Sequence, residues 1–344
     1  MHTGKYLGRS LEQRLAAPRE LMLPSPHLGL TWRPLDVDDL DPVRELIDDS
    51  ADPRISDEPR LSTLITPHVA NDSQNSADFA SLGGWDSAGT LQAFGLVVIK
   101  PHPLTELQAD IFGLIRPQWR GRGIGRALLE WQDGRARQLM LAQGRDLPAS
   151  IRSKVHADNM GRRRLLTAGG FSPQTSWAMM DLDLETKHKS MAESARTRLR
   201  QRGMELRRLD ESDGDEVRRL HNRLAMVMER RQPLTEDEWE KRLSESDPYT
   251  SAILTDGEHL VGYSLCVVDH HLARMRVTSY GIDRGFRQQG NGTDLLLSQV
   301  GIALRREYRT VRVPVVSATA SLAPVLTEYG FHEGQAEILY TIDI

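Results

Sequence analysis

The chain has 344 residues, 39% apolar and 27% charged, with a net charge of −4 from 44 basic and 48 acidic residues. That length suits two domains, each large enough to bury a core without disulfides or metal, and the charge balance argues against general nucleic-acid binding. The single cysteine, Cys266, excludes an intrachain disulfide and four-cysteine or two-cysteine, two-histidine zinc sites, so no metal is expected.

No apolar run reaches the length of a membrane span, and residues 1–20 lack the apolar segment of a secretory signal. The expectation is a cytoplasmic protein that engages no membrane. In chain order, residues 1–24 read as an N-terminal extension without a counterpart later in the chain. Within it, Ser10-Leu11-Glu12-Gln13 is a capping box for a short helix. A strand at 30–33 and a helix at 40–47 follow, then an irregular or helical stretch at 61–75. Strands are predicted at 78–85, 91–99 and 107–115. Residues 123–143 form a helix with Ile124, Ala127, Leu128 and Trp131 on one side. A strand at 149–156, a helix at 159–168 and a strand at 176–184 complete the series. Residues 187–203 are polar, basic and poor in apolar side chains, which reads as a linker or a short surface helix ending at Gly203.

The series then recurs, with elements at 206–209, 214–224, 252–255, 259–268, 275–282, 292–306, 311–316, 322–329 and 336–342. Cys266 falls in a buried strand of this second copy and reads as a structural thiol. The repetition is visible residue by residue. Arg120, Gly123 and Gly125 match Arg287, Gly290 and Gly292 at an offset of 167, as Ile115 matches Ile282 and Gly95 matches Gly262. Upstream, Leu35-Asp36 and Val43-Arg44 match Leu209-Asp210 and Val217-Arg218 at 174; downstream, Gly170-Phe171 matches Gly330-Phe331 at 160. A constant central offset that drifts at both ends implies two copies of one fold with different loops. An antiparallel meander followed by a βαβ step gives each copy an α/β, or α+β, layered architecture. The expected organisation is an extension at 1–24, a first domain at 25–186, a linker at 187–203 and a second domain at 204–344.

The segment from Ile115 to Leu129 carries the chemistry. A buried strand ends at Pro117, a turn with Gly121, Gly123 and Gly125 follows, and an amphipathic helix begins. Glycine lets backbone approach a ligand closely. The first N–H groups of a helix have no internal partner, and they point at anions along the positive end of its dipole. Arg120, Arg122 and Arg126 add charge for the same phosphate. The spacing fits neither the dinucleotide fingerprint, since Arg126 stands where glycine is required, nor a Walker loop, since no Gly-Lys-Ser/Thr is present.

Arg120-x-x-Gly123-x-Gly125, preceded by Ile115-x-Pro117-x-Trp119, resembles motif A of the GNAT superfamily of N-acetyltransferases. The resemblance implies a mixed, mostly antiparallel sheet, splayed at its middle strands, in each of two tandem folds. It implies acetyl-CoA, or another acyl-CoA, in the splay. Its pyrophosphate would rest on N–H groups of Arg120, Gly121, Arg122, Gly123, Ile124, Gly125 and Arg126. Its pantetheine arm would pair with Leu114 and Ile115. Val155-His156-Ala157-Asp158-Asn159 with Leu165-Leu166 and Gly170-Phe171 is similar to the second coenzyme motif, and Asn159 falls where the family contacts pantetheine. Ile282, Arg287, Gly290 and Gly292 are the matching positions of the second copy. Tandem members occur in bacterial thiol and antibiotic biosynthesis, and the layout is similar to that of the tandem member from clavulanic acid clusters.

Two departures bear on the reaction. The family often places a tyrosine seven residues after the asparagine, as general acid; here Leu166 stands there, and in the second copy Leu326, with Thr319 in place of the asparagine. The second copy also carries Gln288, Gln289 and Asn291 for Gly121, Arg122 and Ile124, so the first is expected to be the better coenzyme site. For proton transfer Asp110 is the first candidate, with Glu106 and His68 behind it; His270-His271 do not read as a metal pair. The acidic residues from Asp48 to Glu58 either favour a cationic amine or form a solvated loop. The expected activity is acyl transfer to a small amine-bearing metabolite. The alternatives are an acyl-CoA-binding or sensing protein without catalysis, and transfer to oxygen or a thioester.

Overall fold

The computed structural model describes residues 8–25, 29–50, 77–100, 103–228, 233–287, 289–316 and 322–344. The stretch at 61–75, His68, Gln288, Thr319 and the acidic positions beyond Ser50 lie outside the described residues. The chain divides into two compact units, Met1–Gln174 with Glu337–Ile344, and Thr175–Ala336.

The first repeat supplies α1 (Leu11–Leu15), β1 (Thr31–Arg33), α2 (Leu40–Asp49), β2 (Phe79–Trp85), β3 (Leu91–Ile99), β4 (Leu107–Ile115), α3 (Ile124–Ala142), β5 (Ala149–His156), α4 (Met160–Ala168) and β6 (Ser172–Asp183). The second supplies α5 (His188–Gln201), β7 (Glu205–Arg208), α6 (Gly214–Met228), α7 (Glu236–Ser244), β8 (Ala252–Thr255), β9 (Leu260–Asp269), β10 (Arg274–Ile282), α8 (Asn291–Arg305), β11 (Thr310–Val316), α9 (Leu322–Glu328) and β12 (His332–Asp343).

Both units are mixed, mostly antiparallel sheets flanked by helices, as expected. The first runs β1-β2-β3-β4-β5-β12 and the second β7-β8-β9-β10-β11-β6. Only the β4–β5 and β10–β11 steps are parallel. The last strands are exchanged: Glu337 to Asp343 of β12 pair with β5, placing Ile338 against Val155, while β6 pairs with β11, placing Asp181 against Arg312. This division differs from the expected boundaries at 186 and 204. The repeat shows that a strand follows each Gly-Phe pair, but equivalent strands fit either sheet, so pattern alone does not say which sheet receives it.

Residues 187–203 carry α5, whose Ala192, Ala195 and Leu199 are buried against α8. The extension does the same work in the first unit: Leu11 and Leu15 of α1 are buried, and Arg137 of α3 donates to the Leu15 carbonyl at 2.7 Å. The extension therefore has a counterpart after all. A glycine permits each approach, since a Cβ on Gly134 would stand 2.5 Å from Leu21 Cδ1 and one on Gly301 would stand 2.9 Å from Ala192 Cβ.

The core of each unit lies between its long helix and the sheet. Gln132 of α3 is buried there and donates to the Leu96 carbonyl at 3.0 Å; its counterpart Gln299 donates to the Ser264 hydroxyl. On the opposite face of the first sheet, Leu46, Phe94, Leu96 and Leu114 pack with Ile47 and Phe112 beneath α2.

Candidate functional site

In each unit the parallel pairing stops short. Between β4 and β5 the register ends at Asp110↔Arg152, and between β10 and β11 at Arg276↔Arg312. Beyond these pairs the parallel backbone ladder does not continue among the described residues, although Ser153 still donates to the Ile111 carbonyl at 3.2 Å, and the parting strands leave a cleft beside the last residues of β4 and β10.

In the first unit the turn stands at the mouth of that cleft. Pro117–Trp119 make one 3-10 turn, Gly121 and Gly123 take φ of 78° and 90°, and α3 starts at Ile124 with no side chain capping its N-terminus. Left-handed φ favours glycine at both positions. The N–H groups of residues 121–125 bond to no described residue, whereas those of Arg126 and Ala127 already donate to the Gly123 carbonyl. Ile124 is buried and pins the turn to the core. A compact anion fits this cradle of free donors at the positive end of a 19-residue helix.

The arginines have distinct tasks. Arg120 Nε donates to the Ile115 carbonyl at 3.0 Å, which braces the turn and uses a group expected to pair with pantetheine. Arg122 donates to the Gln118 carbonyl at 3.3 Å and lies over the Trp119 ring. Arg126 is exposed on the first turn of α3. Leu114 and Ile115 flank the unpaired edge of β4. Asn159 caps α4, its side-chain oxygen accepting from the Arg162 N–H at 3.1 Å.

Arg162 is a residue the sequence reading missed. Its guanidinium reaches across the cleft, donating to the Gly113 carbonyl at 2.6 Å and the Ser153 hydroxyl at 3.1 Å. His156, the last residue of β5, accepts from the Asp158 N–H at 3.2 Å, and its Nε2 is buried with no partner among the described residues. Asp110, expected as the base, instead meets Arg152 through both oxygens, at 3.0 and 3.2 Å. Glu106 accepts from Gln108. Leu166 and Leu326 are both buried in the cores. Asp49 pairs with Arg116, which ties this end of the acidic run to the strand end.

The second turn has the same backbone. Arg287 Nε donates to the Ile282 carbonyl at 3.0 Å, Gly290 takes a φ of 78°, and α8 begins without a side-chain cap. Gly292 follows on the first turn of α8, where a Cβ would meet Ile282 at 3.5 Å. Asn291 replaces the Ile124 anchor yet is buried, donating to the Phe286 carbonyl at 3.0 Å. A cation arrives from the end of α5: Arg202, the residue after the helix, donates to the Gln289 carbonyl at 2.6 Å and, with Arg198, holds the buried Asp294. Cys266 is fully buried, and burial pushes its thiol well above the usual range, so it is no nucleophile.

No group of three metal-ligating side chains occurs among the described residues, and no described helix is long and apolar enough to cross a membrane. No family model and no curated protein matches the chain by sequence. Solved structures do match. A GCN5-related N-acetyltransferase from Sphaerobacter thermophilus is 18% identical, with a TM-score of 0.64 over 94% of this chain and 97% of its own. The tandem GNAT protein from the clavulanic acid biosynthesis pathway is 17% identical, with a TM-score of 0.58 over 91% and 98%. A GCN5-related N-acetyltransferase from Kribbella flavida is 14% identical, with a TM-score of 0.53 over 90% and 71%. The chain thus has the tandem GNAT fold, as its motifs implied.

Proposed function

We propose that this protein is an acyl-CoA-dependent N-acyltransferase that uses acetyl-CoA and acts on a small amine-bearing metabolite in cytoplasmic biosynthesis, secondary-metabolite or antibiotic biosynthesis among the candidates. The observation that carries this is the run of unpaired N–H groups at 121–125, ringed by arginines, at the mouth of a cleft between parting strands. The fold it shares with N-acetyltransferases supports the reading. The pyrophosphate would rest on the turn at 120–126 and the pantetheine arm would lie along Leu114 and toward Asn159. Each hydrogen bond to a charged phosphate oxygen contributes about 1.5–3 kcal/mol. The second turn, at Ile282, Arg287, Gly290 and Gly292, would take coenzyme more weakly. It lacks the Gly121 and Arg122 equivalents, and Asp294 offsets part of the charge that Arg202 brings.

The chemistry needs an amine that loses a proton and an oxyanion that is stabilised as it forms. A second reading, an acyl-CoA-binding protein without turnover, draws on the burial of Leu166 and Leu326, which leaves no phenol at either expected position. Calorimetry with acetyl-CoA and thiol release across a panel of amines test both. Wild type should bind and turn over, and Gly123→Glu should abolish binding at the first turn with the fold intact by circular dichroism. Unchanged affinity in that variant would reject the turn as the site. Binding without thiol release from any amine would select the second reading.

A further inference from the structure

The second unit holds a buried polar cluster that the coenzyme turn does not use. His221 of α6, Tyr263 of β9 and Ser279 of β10 form a triangle. The His221 Nδ1 lies 2.7 Å from the Tyr263 hydroxyl and 3.2 Å from Ser279 Oγ, and the two hydroxyls are 3.0 Å apart. His221 and Tyr263 are buried, Ser279 is partly exposed, and the Trp239 ring of α7 packs on the imidazole at 5.3 Å.

Three observations set this cluster apart from ordinary core. First, the matching positions of the first repeat are Ile47, at the offset of 174, Phe112, at 167, and Phe94, since Tyr263 pairs with Gly281 as Phe94 pairs with Leu114. All three are apolar and belong to one cluster there. The same fold closes this face with hydrocarbon, so packing does not call for a polar trio whose desolvation costs free energy unless its bonds are complete. Second, Ser279 sits on the part of β10 that has left β11, since that pairing ends at Arg276. Third, the β9–β10 register passes from Val277↔Cys266 to Ser279↔Leu265, which leaves Thr278 without a cross-strand partner. Such a bulge re-aims the side chains that follow it, and bulges gather beside active sites. Here it falls immediately before Ser279, whose hydroxyl lies 3.2 Å from His221. The first unit has no bulge at this strand, and its cleft is bridged by Arg162, where the second repeat has Leu322.

We propose that the second unit carries out acyl transfer, with Ser279 as its catalytic residue and with Tyr263 and His221 as the relay that takes the proton from it. The proposal rests on the acyl-CoA reading above. In the step, the amine nitrogen attacks the thioester carbonyl and the C–N bond forms. The nitrogen gives its proton to Ser279 Oγ as the Ser279 hydroxyl proton moves to His221, directly or through Tyr263. The C–S bond then breaks and coenzyme A leaves as the thiolate. His221 ends as an imidazolium against Trp239 and returns its proton to solvent. The first unit then holds coenzyme without performing the reaction.

The test is steady-state thiol release by the full chain with acetyl-CoA and an amine panel, from acid to mildly alkaline pH. Wild type is compared with Ser279→Ala, Tyr263→Phe and His221→Gln, with acetyl-CoA affinity by calorimetry and thermal midpoints alongside. Loss of the relay should lower kcat by about 10²–10⁴-fold in Ser279→Ala and His221→Gln. Acetyl-CoA affinity should stay within about twofold, and Tyr263→Phe should displace the acid limb of the pH profile. If His221→Gln does not fold, the small and partly exposed Ser279→Ala decides alone. Wild-type kcat and pH profile in Ser279→Ala would overturn the relay and leave the acyltransferase standing. A wild type that binds acetyl-CoA but acylates nothing would also overturn it, and one that binds no acetyl-CoA would overturn both.

Discussion

Asp39 and Asp213 occupy the same place in the two repeats, 174 positions apart, and do the same job. Each is buried, caps the 3-10 turn after the first strand, and takes a two-pronged bond from the arginine six residues earlier, Arg33 at 2.6 and 2.8 Å and Arg207 at 2.7 and 2.6 Å. The Arg207 bond holds the Asp213 carboxyl below its usual 3.8. A depressed folded value means that this stabilisation is complete above 3.8 and is lost as pH falls through the lower folded value. The urea midpoint should therefore drop from about pH 5 to about pH 3, and Asp213→Asn should flatten that slope. Asp213→Ala should cost about 2–3 kcal/mol, below the fully buried case because Arg207 stays partly in water. Leu166 predicts differently from what its place in the motif suggested: Leu166→Tyr should overpack the core by about 1–3 kcal/mol and create no activity, read by urea unfolding and thiol release. The glycines and arginines of the coenzyme turn were legible because they are contiguous. The roles of Arg162 and Asp110 were not, since each is fixed by a partner on another strand. The His221, Tyr263 and Ser279 trio was hidden by its separation, although laying the repeats over one another shows three apolar positions turned polar.

At the scale of elements, strands β3, β4, β5 and β8 were legible to the residue, because apolar runs bounded by turn residues leave little freedom. The helix α7 was missed, though Thr235 and Glu238 form a capping box that marks its start. The helix α5 was left between linker and helix, because two of its four buried residues, Ala192 and Ala195, are alanines and only Leu199 is a large apolar side chain. Small side chains there let α5 lie close on α8, and Gly301 faces Ala192. Gly301→Ala should cost about 1–2 kcal/mol, since one methyl would stand 2.9 Å from another that has no freedom to turn away. Gly134→Ala should cost less, because Leu21 presents a movable side-chain end, while the helix-propensity gain of about 1 kcal/mol is common to both sites. Chemical denaturation of the two variants side by side checks the difference in sign or size.

For the whole molecule, the exchanged strands decide how the chain tolerates cutting. Removing residues 337–344 strips the first sheet of buried Tyr340 and of Ile338 and Ile342, which pack on its core, and removes the Ile344 carbonyl that Arg14 holds at 3.1 Å. At about 1.5–3 kcal/mol per apolar side chain, the loss is about 5 kcal/mol or more. That is comparable to the whole stability of a domain. The truncated chain should show an early thermal transition and aggregate, and a fragment of residues 1–186 should not fold as a soluble monomer by size-exclusion chromatography. The same arrangement sets a clock on the ribosome. Strand β5 is finished at His156, but its neighbour is not made until Asp343. At about 5–20 residues per second, that edge waits for about 10–40 s. During that wait β6, the equivalent strand of the first repeat, is already synthesised, so the nascent chain must either hold β6 off or release it when the true neighbour emerges.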